Sequence, residues 1–213
     1  MTPKAVLFDC DGVLADTEML VNRIVATELS ARGWTMDGHE ARRLFLGMAW
    51  PDMRPLVEAR TGPLPAGWEQ DFSRRIAEAL ERETLPIPGA IDAVRAVAVR
   101  LPVAVASNSS RRELTTKMRL LGLTAVFGPR CFSFEDVENP KPAPDLYHAA
   151  AASCGVGASD CVVVEDSLAG VRAGVAAGCR VLGFCRETPA AILAVAGAEP
   201  FSEMEALPGL IGL

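Results

Sequence analysis

Four short apolar runs recur along the chain, at residues 5–8 (AVLF), 101–106 (LPVAVA), 161–164 (CVVV) and 180–184 (RVLGF), with helix-like stretches between them. No other feature constrains the fold as strongly. Short β-branched runs without polar alternation are buried on both faces, and strands separated by helices join in parallel through crossovers. The pattern therefore predicts an α/β fold with a parallel sheet covered on both sides. Half of the 213 residues are hydrophobic, enough for a sizeable core. Ligands of such sheets bind beyond the carboxyl ends of the strands. Three of the four runs end there in residues capable of chemistry: Asp9 and Asp11, Ser107 and Asn108, and Glu165 and Asp166.

Between the runs, residues 110–121 open on Ser110-Arg111-Arg112-Glu113, a capping-box spacing, and stop near Gly122. Residues 144–154 open on Pro144, suited to a first helical position, and end before Gly155. Residues 167–177 are small, as close packing on a sheet requires. Residues 16–83 break the rhythm. They show helical periodicity at Leu20, Ile24, Val25 and Leu29, at Ala41, Leu44 and Phe45, and at Trp68, Phe72, Ile76, Ala79 and Leu80, and contain no convincing strand. The next residues, TLPIPGA, form a stiff connector. The expected division is an α/β core from residues 1–15 and 84–213 and a helical insert, 16–83, placed just after the first strand. The tail, 200–213, reads as one short strand and a helical turn.

The formal net charge of −6 gives no basic footprint for a nucleic acid, so an anionic substrate would need a local positive site. Lysine occurs only at positions 4, 117 and 141, and Lys141 is fixed between Pro140 and Pro142 in NPKPAPD. The six cysteines show no zinc-site spacing and read as free thiols. No apolar run approaches the ~20 residues that span a membrane, and the apolar stretch in MTPKAVLFDCDG is too short for a signal sequence. The expectation is a cytoplasmic chain with neither a nucleic-acid nor a membrane partner; monomer and homodimer both stay open.

Gathered at one sheet edge, Asp9, Asp11, Glu165 and Asp166 would repel unless a cation sat among them. An oxygen-only donor set selects a hard ion, and Mg²⁺ is the usual one. A calcium loop at Asp9 is excluded because Val13 and Leu14 stand where an oxygen ligand and a glycine are needed. Lys141, the Ser107 hydroxyl and the amides opening the helix at Ser110 add donors for an anion. A cation, a lysine, a hydroxyl and amides around a carboxylate nucleophile make a phosphoryl-transfer site. Each residue also has a plain structural reading: a turn for Asp9 and Asp11, a strand-end cap for Ser107, a solvated charge for Lys141, a helix N-cap for Asp166. Their co-occurrence favours the chemical one. His39 and His148 read as ordinary helix residues, and Trp34, Trp50 and Trp68 as core or rim of the insert.

The four segments FDCDGVLADTE, VAVASNSS, NPKPAPDLY and VVVEDSLAGVRAG stand in the order found in the haloacid dehalogenase (HAD) superfamily of phosphohydrolases, which the chain resembles over nearly its whole length. The likeness is to the branch with a helical cap after the first strand, which includes β-phosphoglucomutase-like and phosphoglycolate-phosphatase-like enzymes. It implies a Rossmann-like, doubly wound core with 16–83 as the cap. It implies that Asp9 is the nucleophile and Asp11 the general acid–base. Mg²⁺ would be held by the carboxylates of Asp9 and Asp166 and the backbone carbonyl of Asp11, with Glu165 as ligand or neighbour. Ser107, Asn108, Lys141 and the amides around Gly12 would hold the phosphoryl oxygens, and Asp16-Thr17 and 86–89 would be the hinges of the cap.

Departures from the mutases narrow this reading. Val21 stands where they usually carry a histidine, Gly47 is followed by Met48-Ala49-Trp50 without their arginine, and the cap has no lysine. A mutase must hold a second phosphate. The expected activity is therefore hydrolysis of a small phosphorylated metabolite, such as a sugar phosphate; a phosphomutase and a non-catalytic binding module are the alternatives. Arg42, Arg43, Gly47 and Trp50 are the expected substrate contacts in the cap.

Overall fold

A computed structural model describes residues 2–213. The first half of the chain forms β1 (Ala5–Phe8), β2 (Ala15–Asp16), α1 (Glu18–Ala31), α2 (Gly38–Phe45), α3 (Trp50–Thr61), α4 (Trp68–Glu83), β3 (Leu85–Pro86) and α5 (Ala90–Ala98). The second half continues with β4 (Val103–Ala106), α6 (Arg111–Leu120), α7 (Thr124–Phe127), β5 (Cys131–Phe132) and α8 (Asp145–Ser153). It ends with β6 (Cys161–Glu165), α9 (Leu168–Ala176), β7 (Arg180–Phe184), α10 (Ala190–Val195), β8 (Glu199–Phe201) and α11 (Leu207–Leu210).

Six strands make one sheet in the order β5-β4-β1-β6-β7-β8, every neighbouring pair parallel. The first strand thus lies inside the sheet, paired with β4 through Val6–Val103 and with β6 through Val6–Val162. Alternation along it feeds both faces: Val6 and Phe8 join one apolar cluster, Ala5 and Leu7 the other. Phe8 meets Phe127 edge to face at 6.1 Å. Burying side chains such as Phe8 and Leu7 contributes roughly 1.5–3 kcal/mol each. This is a Rossmann-like α/β fold.

Immediately after β1, the two-residue strands β2 and β3 pair antiparallel, Asp16 opposite Leu85. Helices α1 to α4 lie between them and enclose a third apolar cluster, with Leu29, Phe45, Val57, Phe72 and Leu80 buried. One helix there had no clear sign in the sequence. α3 carries Pro51 in its first turn, where an amide has no helical partner anyway, and Pro55 inside. Two prolines masked its periodicity, yet Met53 and Val57 still pack inward. Elsewhere, Ser110 caps α6 by accepting from the Glu113 amide, and Pro144 stands just before α8 rather than in its first helical position.

Candidate functional site

The carboxyl ends of β1, β4 and β6 meet at the floor of a cavity of about 380 Å³ whose roof is formed by α1, α3, α4 and the loop after α2. Asp9 follows β1 directly, its amide bonded to the Val164 carbonyl at 2.9 Å. Beside it stand Glu165 and Asp166, and all three carboxylates offer oxygens within 4.8 Å of one another. Lys141, buried from the opposite side, donates to Asp9 Oδ1 at 2.6 Å, to Glu165 Oε1 at 2.6 Å and to the Ala106 carbonyl at 2.8 Å. Burial would lower the lysine's pKa, but the charges of Asp9 and Glu165 outweigh it and keep the ammonium protonated.

The three carboxylates are not equivalent. Glu165 is fully engaged: Oε1 also accepts from Tyr147 Oη at 2.8 Å, and Oε2 from the Asp166 amide, the Ser167 amide and Ser167 Oγ. Its neighbour Gly170 leaves room for it, since a Cβ there would lie 1.6 Å from Glu165 Oε1. By contrast, both oxygens of Asp166 are buried with no hydrogen-bond partner among the described residues. Burial, reinforced by the charges of Glu18, Glu165 and Asp9, pushes the Asp166 carboxyl well above the usual range. Asp9 is pushed up to about 8, by burial first and by the Glu165 charge second. An unpartnered carboxylate in a dry acidic cluster is costly unless a cation completes it.

Gly12 belongs to the same cradle. Its φ of +74° suits glycine, and a Cβ on it would fall 2.1 Å from Asp166 Oδ2. The oxygen-only donors, the orphaned Asp166 and this close backbone approach fit a hard divalent ion. Zinc sites draw chiefly on cysteine sulfur and histidine nitrogen, and none of the three clustered side chains supplies either.

Asp11, one turn of backbone away, faces a different environment. Both of its oxygens accept from Lys117 Nζ, Oδ2 at 2.7 Å, and further bonds come from Thr17 Oγ1, Ser109 Oγ at 2.8 Å and Ser107 Oγ at 3.4 Å. Burial alone would raise its pKa, but the Lys117 charge and these bonds hold it below the usual carboxylate range. Lys117 is 1% exposed and enters from α6, between the buried Leu114 and Met118. The sequence reading counted this lysine without assigning it. The available sign was a lone lysine on the apolar face of an amphipathic helix, four residues after Glu113.

Asn108 does not present its side chain to the cavity floor alone. Its amide nitrogen donates to the Gly47 carbonyl at 2.7 Å and the Lys141 carbonyl at 2.9 Å, and its oxygen accepts from the Lys141 amide. It therefore ties the loop after α2 to the sheet edge. Gly47 and Trp50 line the cavity, Trp50 stacking on Trp68 with ring centroids 5.3 Å apart. Arg42 and Arg43, the other expected contacts, are not among its lining residues. The Arg42 guanidinium turns to Glu18, at 3.0 Å, and to Glu187, while Arg43 is 76% exposed beside Glu40. On α2, Ala41 and Phe45 face inward, Arg42 is half-buried at the flank and Arg43 is exposed.

Residues 3–178 match the family profile described as haloacid dehalogenase-like hydrolase. The 6-phosphogluconate phosphatase of Escherichia coli is 31% identical over 186 residues, 86% of this chain and 83% of that protein. Hexitol phosphatase A of the same organism is 33% identical over 187 residues, covering 85% and 83%. The crystal structure of CbbY from Rhodobacter sphaeroides in complex with phosphate superposes with a TM-score of 0.80 at 28% identity, over 96% of each chain.

Proposed function

The chain belongs to the haloacid dehalogenase-like hydrolases, and from that premise we propose that it is a Mg²⁺-dependent phosphatase of a small phosphate monoester, of the sugar-phosphate kind its relatives' names describe. The observation that carries the reading is Asp166, a buried carboxylate with no hydrogen-bond partner among the described residues, beside Asp9 at the mouth of the first strand. Residues 16–83 serve as the cap, moving on β2 and β3, and the core comprises 1–15 and 84–213. The enzyme works in the cytoplasm.

Asp9 and Asp166, with the Asp11 carbonyl, would hold Mg²⁺; when bound, the ion offsets the negative charge gathering on the phosphoryl oxygens. Glu165 acts through Lys141: it fixes the ammonium against Asp9, where Lys141, Ser107 and the amides around Gly12 and Asn108 bind the phosphoryl group. An Asp9 oxygen attacks phosphorus, the ester P–O bond breaks, and the leaving alcohol oxygen takes a proton from Asp11. Water then attacks the aspartyl-phosphate, Asp11 accepts its proton, and phosphate departs with Asp9 restored. Lys117 keeps Asp11 ionised, the form needed for this second step; to donate in the first, Asp11 must loosen from Lys117. Such acid–base help is worth roughly 10²–10⁴ in rate.

The mutase alternative is less well supported, because the cap offers the cavity no cation for a second phosphate. A panel of phosphate monoesters assayed with Mg²⁺ and with EDTA tests the proposal. Hydrolysis should require the metal, and Asp9→Asn should abolish it while the fold persists. Faster isomerisation of glucose 1-phosphate than hydrolysis of any ester would decide for a mutase.

A further inference from the structure

Seven acidic side chains line the cavity against three basic ones. Two of the three are already committed: Lys141 to Asp9 and Glu165, and Lys117 to Asp11. The third, Arg112, lies on α6 and is exposed. The half of the cavity formed by residues 16–83 contributes no lysine or arginine. Its walls are apolar, with Val21, Val25, Met53, Phe72 and Ile76 among them. Its polar groups there are Asn22, Gln70 and Ser73, and its charges are the acids Glu18 and Glu69. Glu18 pairs with Arg42, which stands outside the lining.

This chamber is where the alcohol portion of a phosphate ester lies once its phosphoryl group sits at Asp9. An anionic group on that portion, a carboxylate or a second phosphate, would be stripped of water against apolar walls and set near Glu18 without a counter-charge. An interface or pocket without a complementary charge disfavours such a group. We infer that the substrate is a phosphate monoester whose alcohol carries no second negative charge, and that the cap selects against anionic leaving groups. The inference rests on the phosphatase reading and sets this chain apart from what the name of its Escherichia coli relative, 6-phosphogluconate phosphatase, describes.

Sorbitol 6-phosphate and 6-phosphogluconate share a carbon skeleton and differ at the far end, hydroxymethyl against carboxylate. With Mg²⁺ present, kcat/KM for the first should exceed that for the second by about 10- to 100-fold, the scale of an uncompensated charge. Ser73→Lys puts an ammonium at a half-buried position of the lining and should shift the ratio at least about tenfold toward the carboxylate. Equal rates on the two esters, or a preference for the carboxylate, overturn the inference while leaving the phosphatase reading in place. Failure of both esters and of phenyl phosphate to react overturns the phosphatase reading and the inference with it.

Discussion

Replacing Asp166 by asparagine should stabilise the protein without metal and remove its response to metal. Both carboxylate oxygens of Asp166 are buried without a partner, and Asp9 and Glu165 lie within the same 4.8 Å cluster. Without a cation, this group either stays ionised among like charges or takes up a proton at a cost. An unsatisfied buried acceptor costs about 1–3 kcal/mol. An asparagine amide has the same shape and can donate to the neighbouring carboxylates. For a chain of this length 1 kcal/mol corresponds to about 2–4 °C in Tm, so Asp166→Asn should melt about 3–10 °C above wild type in EDTA at pH 8. Mg²⁺ at a hundred times its Kd stabilises the wild type by about 2.7 kcal/mol, or about 5–10 °C, whereas the variant should shift by less than about 1 °C by the same conversion. Thermal melts with EDTA and with a Mg²⁺ series measure both effects. A variant less stable than wild type in EDTA, or one that keeps the Mg²⁺ shift, would refute the assignment of Asp166 as the unpaired ligand.

Three further outcomes follow from the same geometry. Lys117→Met removes the counter-charge of Asp11; breaking a buried pair costs about 3–5 kcal/mol. Asp11 keeps 25% exposure, so the loss in urea unfolding should sit near or below the lower figure, with kcat falling as well. Gly12→Ala must relieve both a left-handed φ and a 2.1 Å overlap with Asp166; it should weaken Mg²⁺ binding by calorimetry at least about tenfold, the equivalent of a 1.4 kcal/mol misfit. Finally, the pKa of Asp9 is raised to about 8 in the folded, metal-free chain, so the folded state holds a proton the unfolded chain gives up near pH 4. Stability from this proton is complete below pH ~4 and lost as pH rises through about 8. The Tm in EDTA should therefore fall between pH 5 and pH 9, and saturating Mg²⁺ should remove most of that decline.

Strands buried on both faces leave a mark that needs no tertiary context, which is why 5–8, 101–106, 161–164 and 180–184 could be read directly as the frame of the sheet. The gathering of Asp9, Ser107 and Asp166 at one cavity was legible for the same reason, since each is placed by where a strand ends. Short β5 has only two paired residues and no periodicity to show. α3 hides its apolar spacing behind Pro51 and Pro55. The partners of Asp11 were illegible because Lys117 lies 106 residues away in sequence and reaches it only once α6 packs beside β5 and α4. The ion pairs of Arg42 were illegible for the same reason: the face of α2 it occupies meets Glu18 of α1 and Glu187 after β7.

A covalent step at Asp9 that Asp11 completes is open to one rapid-mixing experiment. p-Nitrophenyl phosphate has a leaving group that needs no acid, so Asp11→Asn should still transfer the phosphoryl group to Asp9 but hydrolyse the product slowly. The account predicts a burst of about one nitrophenol per active site, then a steady rate lower by roughly 10²–10⁴, with both phases absent in EDTA and in Asp9→Asn. Wild-type turnover in Asp11→Asn, or a burst that survives Asp9→Asn, would contradict it.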